Sequence, residues 1–217
     1  MSPGEILARL LIAAKLLTEH ASALDGVLRA ILALARRRSA WSYTNRTIEV
    51  VVDLDGLDGR RALIRRFQEI RFHVQDPVLV RDVVWGEGRT VRDYEATGAR
   101  ILGMQQEGAS RTVALTPTAP ARAGTRARFS TRRVVEGGFR RPDEYYELMV
   151  ERPTERVRLR VMFPKTRPPL TTRLVVSPPP RALQVLSVRH TSNGRPYVSW
   201  GCKNPHVGIT YRLAWTW

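Results

Sequence analysis

The hydrophobic period of the chain changes once, near residue 41. Before that point apolar side chains recur at Ile6, Leu10, Ala13, Leu17, Leu24, Val27, Ile31 and Leu34, in steps of four and three once His20 is counted. This is the period of one helix face and predicts helix over residues 4–38. Pro3 suits the helix start, and Arg36-Arg37-Arg38 places cations at the C-terminal end of the helix dipole. Leu7, Leu11, Ile12, Leu16, Leu28 and Leu32 widen the stripe until one face cannot hold it, so the segment must bury itself on several sides. Asp25-Gly26 interrupts the stripe and predicts a helical hairpin or a kinked helix.

From Trp41 onward, alternation and β-branched residues take over, punctuated by Gly, Pro and Asp. Strands are expected at 47–54, 60–74, 78–85, 89–96, 99–105, 111–116, 125–135, 144–151, 156–163, 170–176, 183–190, 196–200 and 209–217. Turns fall at Asp55–Gly59 and Ser192-Asn193-Gly194, and Pro178-Pro179-Pro180 reads as a stiff, polyproline-like turn. The clearest alternation is Val157, Leu159, Val161 and Phe163 against Arg158, Arg160 and Met162, which predicts one buried and one wet face. Near the C-terminus, Tyr211, Leu213, Trp215 and Trp217 share a face, and the rings there belong in a core.

Many short strands at this spacing predict a mainly β protein. The expected fold is an immunoglobulin-like antiparallel β-sandwich preceded by an N-terminal helical segment. The expected domains are 1–40, a helical docking or oligomerisation segment, and 41–217, a β-sandwich that is either one body or two sub-sheets split near 164–180. The immunoglobulin resemblance is one of strand spacing and carries no function.

Charge adds a partner class. The 217 residues hold 36 Lys+Arg against 20 Asp+Glu, a net charge of +16. All but Lys15, Lys165 and Lys203 of these cations are arginine. Such a surface attracts polyanions. The densest run, 122–141, holds Arg122, Arg126, Arg128, Arg132, Arg133, Arg140 and Arg141 with Glu136 as its one acid. Phe129, Phe139, Tyr145 and Tyr146 are interleaved with these arginines, the pairing that single-strand binders use for stacking, although core packing claims such rings first.

Reactive constellations are weak. A lone cysteine, Cys202, excludes an intrachain disulfide framework. His190, Cys202 and His206 lack zinc-ligand spacing. Asp53, Asp55 and Asp58 fail the calcium-loop pattern, which has Ile64 where a bidentate Glu is required. Gly86-Glu87-Gly88 lacks the rest of a phosphate loop, and Gly108-Ala109-Ser110 lacks the last glycine of a nucleophile elbow. Glu144, Glu147, Glu151 and Glu155 read as salt-linked surface positions rather than a catalytic pair. No catalytic, cofactor-binding or metal-binding residue is assigned, and no cofactor or small-molecule substrate is expected.

The leading expectation is a non-enzymatic protein–protein interaction or self-assembly module. Leu10, Leu17, Leu24, Val27, Ile31 and Leu34 form its apolar interface, and its partner is another protein or a second copy of itself. The alternative is nucleic-acid binding through the Arg-rich strand face at 122–141. A third reading is a membrane-interacting effector acting through the N-terminal helices. A cytoplasmic location is expected, because the apolar stretch 6–17 follows Glu5 rather than a basic leader.

Overall fold

The computed structural model describes residues 42–55, 60–75, 78–85, 90–107 and 110–217. The expected helical segment, with Leu10, Leu17, Leu24, Val27, Ile31 and Leu34, lies outside the described residues, as do Gly56–Gly59 of the first expected turn. The protein is mainly β. In chain order the strands are β1 (Tyr43–Asp55), β2 (Arg61–Phe72), β3 (Val80–Trp85), β4 (Thr90–Thr97), β5 (Ala99–Glu107), β6 (Ser110–Pro117) and β7 (Arg126–Glu136). They continue as β8 (Asp143–Met149), β9 (Thr154–Met162), β10 (Thr171–Ser177), β11 (Arg181–Val185), β12 (Arg189–His190), β13 (Pro196–Lys203) and β14 (Thr210–Thr216). Among the described residues no helix is long and apolar enough to cross a membrane.

The chain divides into two compact units. The larger comprises 45–70, 86–97 and 128–217, so the stretch 164–180 runs inside it. It holds most of a seven-stranded sheet of order β12-β13-β9-β1-β2-β7-β4 and a four-stranded sheet of order β11-β10-β14-β8. Both sheets feed one apolar cluster: Ile48, Val50, Val52 and Leu54 of β1 and Val157, Leu159 and Val161 of β9 from the first, Leu174 of β10 and Leu213 and Trp215 of β14 from the second. Alternation explains the placement. In β9 the valines and leucine are buried while Arg156, Arg158 and Arg160 are exposed, so one strand serves core and solvent at once.

Trp215 anchors the second sheet. Its ring lies 5.6 Å from that of Phe139 and 5.5 Å, edge-on, from that of Phe163. Trp217 completes the group at 6.1 Å and donates its indole N–H to the Phe139 carbonyl at 3.2 Å. Such offset and edge-on pairs add to the burial of the rings themselves.

The smaller unit contains the described parts of 1–44, 71–85 and 98–127. Its three-stranded sheet has the order β3-β6-β5, with Val80, Val84, Val113, Ala114 and Leu115 buried. Asp82, Gln105 and Thr112 are buried among them.

Three expectations change. The sandwich is expected to be antiparallel, but β1 and β9 run parallel, in register from Asn45 opposite Thr154 to Asp53 opposite Met162. About a hundred residues separate these strands, ample for the crossover that parallel pairing needs. The strand expected at 183–190 is two strands in different sheets. β11 leaves the four-stranded sheet after Val185, with the Leu186 N–H on the Thr172 carbonyl, and β12 joins β13 through the turn at Thr191–Arg195. Pro178–Pro180 is a turn, as expected, but with Ser177-Pro178 and Pro178-Pro179 in cis rather than polyproline-like.

Trp215→Ala is expected to cost about 3–5 kcal/mol, the range for deleting a large buried ring. Leu170→Ala, at a side chain that is 77% exposed, should stay within about 0.5 kcal/mol of the parent. Urea denaturation followed by tryptophan fluorescence for the first exchange, and by circular dichroism for both, measures the difference.

Candidate functional site

The outward face of β9 and β13 gathers cations in register. β13 runs antiparallel to β9, pairing Lys203 with Arg156, Gly201 with Arg158, Ser199 with Arg160 and Tyr197 with Met162. The intervening pairs, Cys202–Val157, Trp200–Leu159 and Val198–Val161, face the core, where Trp200 stacks on Tyr211 at 4.8 Å. Arg156, Arg158, Arg160 and Lys203 are all exposed. Among the described residues, none of the four has a carboxylate within ion-pairing distance.

Two local features shape this row. Gly201 has no Cβ, and one placed there would meet the Val157 carbonyl oxygen at 2.9 Å and Cγ of Arg158 at 3.2 Å. The glycine therefore lets the Arg158 stem lie against β13. At the other end the Arg160 guanidinium sits over the Tyr197 ring, 5.4 Å from its centroid, a cation–π contact. On the far side β1 places Thr47, Glu49 and Val51 opposite Arg156, Arg158 and Arg160, so the cationic strip is two strands wide.

The arginines singled out at 122–141 are arranged differently. Arg126 belongs to the smaller unit, and Arg128, Arg132, Arg133, Arg140 and Arg141 to the larger. Arg128 is held by Glu69 at 2.8 Å and Arg132 by Glu95 at 3.3 Å. Arg133 is only 4% exposed and donates to the Tyr146 hydroxyl at 3.4 Å. Arg140 and Arg141 lie in the loop before β8, where the Arg141 backbone N–H donates to Glu144. The rings interleaved with them are mostly committed: Phe129 and Phe139 are buried, and the exposed Tyr145 lies under Arg212 at 4.0 Å.

Sequence reasoning finds the alternation in β9 but does not mark it as a candidate site. The signal was the same one: a period of two puts Arg156, Arg158 and Arg160 on one face, whereas density along the chain mixes both faces of β7. Lys203 could not have been joined to them without the register of β13.

The other candidate groups stay dispersed. His190 lies on β12 opposite Pro196, six residues along β13 from Cys202. Among the described residues no three metal-capable side chains cluster. Burial pushes the Cys202 thiol above its usual value. Asp53 forms an ion pair with Arg195 at 2.6 Å, and Arg195 also donates to the carbonyls of Phe163 and Leu54 at 2.9 and 2.6 Å. An apolar edge is also exposed: Val185, 85% exposed on β11, sits opposite Arg173, with Leu183 exposed on the same edge strand.

No protein-family model and no curated protein matches the sequence. Among solved structures, a candidate protease from Parabacteroides distasonis is similar with a TM-score of 0.50 and 10% identity, over 82% of this chain and 41% of that one. An M1 zinc metallopeptidase from Deinococcus radiodurans is similar with a TM-score of 0.40 and 12% identity, over 79% of this chain and 42% of that one. A candidate nutrient-binding protein from Legionella pneumophila is similar with a TM-score of 0.44 and 10% identity, over 80% and 67%. This chain thus spans about two fifths of the length of the first two. At such identity the likeness to the first concerns the fold alone.

Glu69 is the hub of the paired arginines. Arg46 lies 3.0 Å from it and Arg128 2.8 Å, and Arg46 also reaches Glu155 at 3.3 Å. Partial burial pushes the Glu69 carboxyl upward, but hydrogen bonds and charge from Arg128 and Arg46 outweigh it and hold the group below its ordinary value of 4.5. A lowered folded value means the network contributes in full above the unfolded-state pKa and fades as pH falls through the folded one. Glu69→Gln is therefore expected to lower stability at neutral pH and to flatten its decline below about pH 4.5. Urea midpoints measured from neutral pH downward check both effects.

Proposed function

We propose that this chain is a non-enzymatic binding module that engages a polyanionic partner through the outward face of β9 and β13. The single observation carrying this reading is the row Arg156, Arg158, Arg160 and Lys203, exposed, in register and without ion pairs among the described residues. Arg46, Arg128, Arg132 and Arg195, by contrast, have their charge met by a carboxylate, so they offer less to an incoming anion. Cations left uncompensated on a stiff sheet lose little conformational freedom of the backbone on binding, and they release counterions from the partner. In this reading the larger unit, immunoglobulin-like in packing two β layers over one core, is the rigid platform, and the module works in the cytoplasm.

A second reading keeps the protein-interaction or self-assembly module with Leu10, Leu17, Leu24, Val27, Ile31 and Leu34 as its interface. The exposed Val185 and Leu183 on the edge strand β11 favour it, because an edge strand offers its backbone donors and acceptors to another edge. Its occupant is a second copy of this chain. Self-association that persists in high salt, measured by sedimentation, would favour it over the first reading.

The first reading is tested on immobilised heparin. The triple exchange Arg156→Gln, Arg158→Gln and Arg160→Gln should elute at clearly lower salt than the parent. Arg126→Gln, Arg128→Gln and Arg132→Gln, which removes the same charge, should move elution much less. In solution, the first triple should lower the slope of log affinity against log salt by about three, close to one per lost contact. Equal shifts for the two triples would reduce the interaction to net charge and reject the site.

A further inference from the structure

We infer that the polyanion is single-stranded nucleic acid, its phosphodiester chain running along β9 and a base stacking at the Tyr197–Arg160 end. This rests on the polyanion reading above and adds the identity of the partner. The first argument is the shape of the charge. Alternate residues of a strand stand about 6.6 Å apart, so Arg156, Arg158 and Arg160 form a line about 13 Å long. Lys203 lies beside Arg156 on the neighbouring strand. The strip is one line deep on its β1 side, where Glu49 stands opposite Arg158. A linear chain of charges fits such a line, whereas a duplex or an anionic bilayer calls on a broad field of cations.

The second argument is the floor of the strip. On β13 the outward residues run Tyr197, Ser199, Gly201 and Lys203, so one small side chain and one bare glycine lie between an aromatic and a cation. Bulk is missing where the chain would pass and present where a base would stop. The third is the ring. Arg160 over Tyr197 pairs a guanidinium plane with an aromatic face, the combination on which unpaired bases stack regardless of sequence. An acidic peptide would use the charges and have no need of the ring.

The test compares four probes on the full chain by fluorescence anisotropy or co-sedimentation: a short fluorescein-labelled oligothymidylate, a duplex of equal length, polyglutamate, and phosphatidylserine vesicles. The oligothymidylate should bind tightest. Tyr197→Ala should weaken it by roughly 5- to 150-fold, the range for losing one base–aromatic stack, while leaving polyglutamate binding unchanged, and Tyr197→Phe should retain parental affinity. Should Tyr197→Ala fail to fold, Tyr197→Leu, which keeps apolar bulk without an aromatic face, carries the same comparison. If duplex, polyglutamate or vesicles bind as tightly as the oligothymidylate, or if loss of the ring weakens all probes alike, the inference is overturned and the polyanion reading survives. If no probe binds, or the Arg156, Arg158 and Arg160 exchanges leave binding unaltered, both fall together.

Discussion

The register of β9 between β1 and β13 is the constraint on which this structure turns. Val157, Leu159 and Val161 enter the core that both sheets of the larger unit share, and the same alternation delivers Arg156, Arg158 and Arg160 to solvent. A slip of one residue would reverse both outcomes, burying guanidinium groups and exposing the apolar row. Desolvating even one unpaired arginine costs several kcal/mol, so the core and the basic row are fixed by a single choice.

Polar contacts at both ends of the central strands reinforce that choice. At one end Gln68 of β2 donates to Asn45 of β1 at 2.6 Å, and Asn45 donates to Thr154 of β9 at 3.2 Å. This buried chain ties three neighbouring strands at one level. Left incomplete, its members would cost more than they contribute, so it holds the strands in the one alignment that satisfies them. At the other end Arg195 bridges the end of β1 and the residue after β9 through the carbonyls of Leu54 and Phe163. Its position is set by the turn that closes β12 on β13, where Gly194 has φ of +75°.

What the sequence disclosed follows the range of the interactions involved. Strand positions are local properties, and the alternations in β9 and β14 are legible in the sequence because one wet and one buried face leave a period-two trace. The parallel pairing of β1 with β9 and the division of 183–190 between two sheets depend on partners far along the chain, so no window of sequence contained them. The candidate site shows the same limit. Counting arginines favoured 122–141, where opposite faces of β7 send Arg132 to Glu95 and Arg133 into the interior. The proposed row instead joins alternate residues of β9 to Lys203, more than forty positions away.

The bare outer edge of β11 carries a colloidal consequence. Among the described residues, Val185 and Leu183 project from a strand with no neighbour on one side, the kind of border along which separate molecules zip together. Repulsion between bodies each bearing +16 opposes that encounter at low ionic strength. Electrolyte shortens its reach to about 8 Å near physiological strength. By this physics the arginine excess acts as a dispersant, and neutralising it is expected to favour contact along that border.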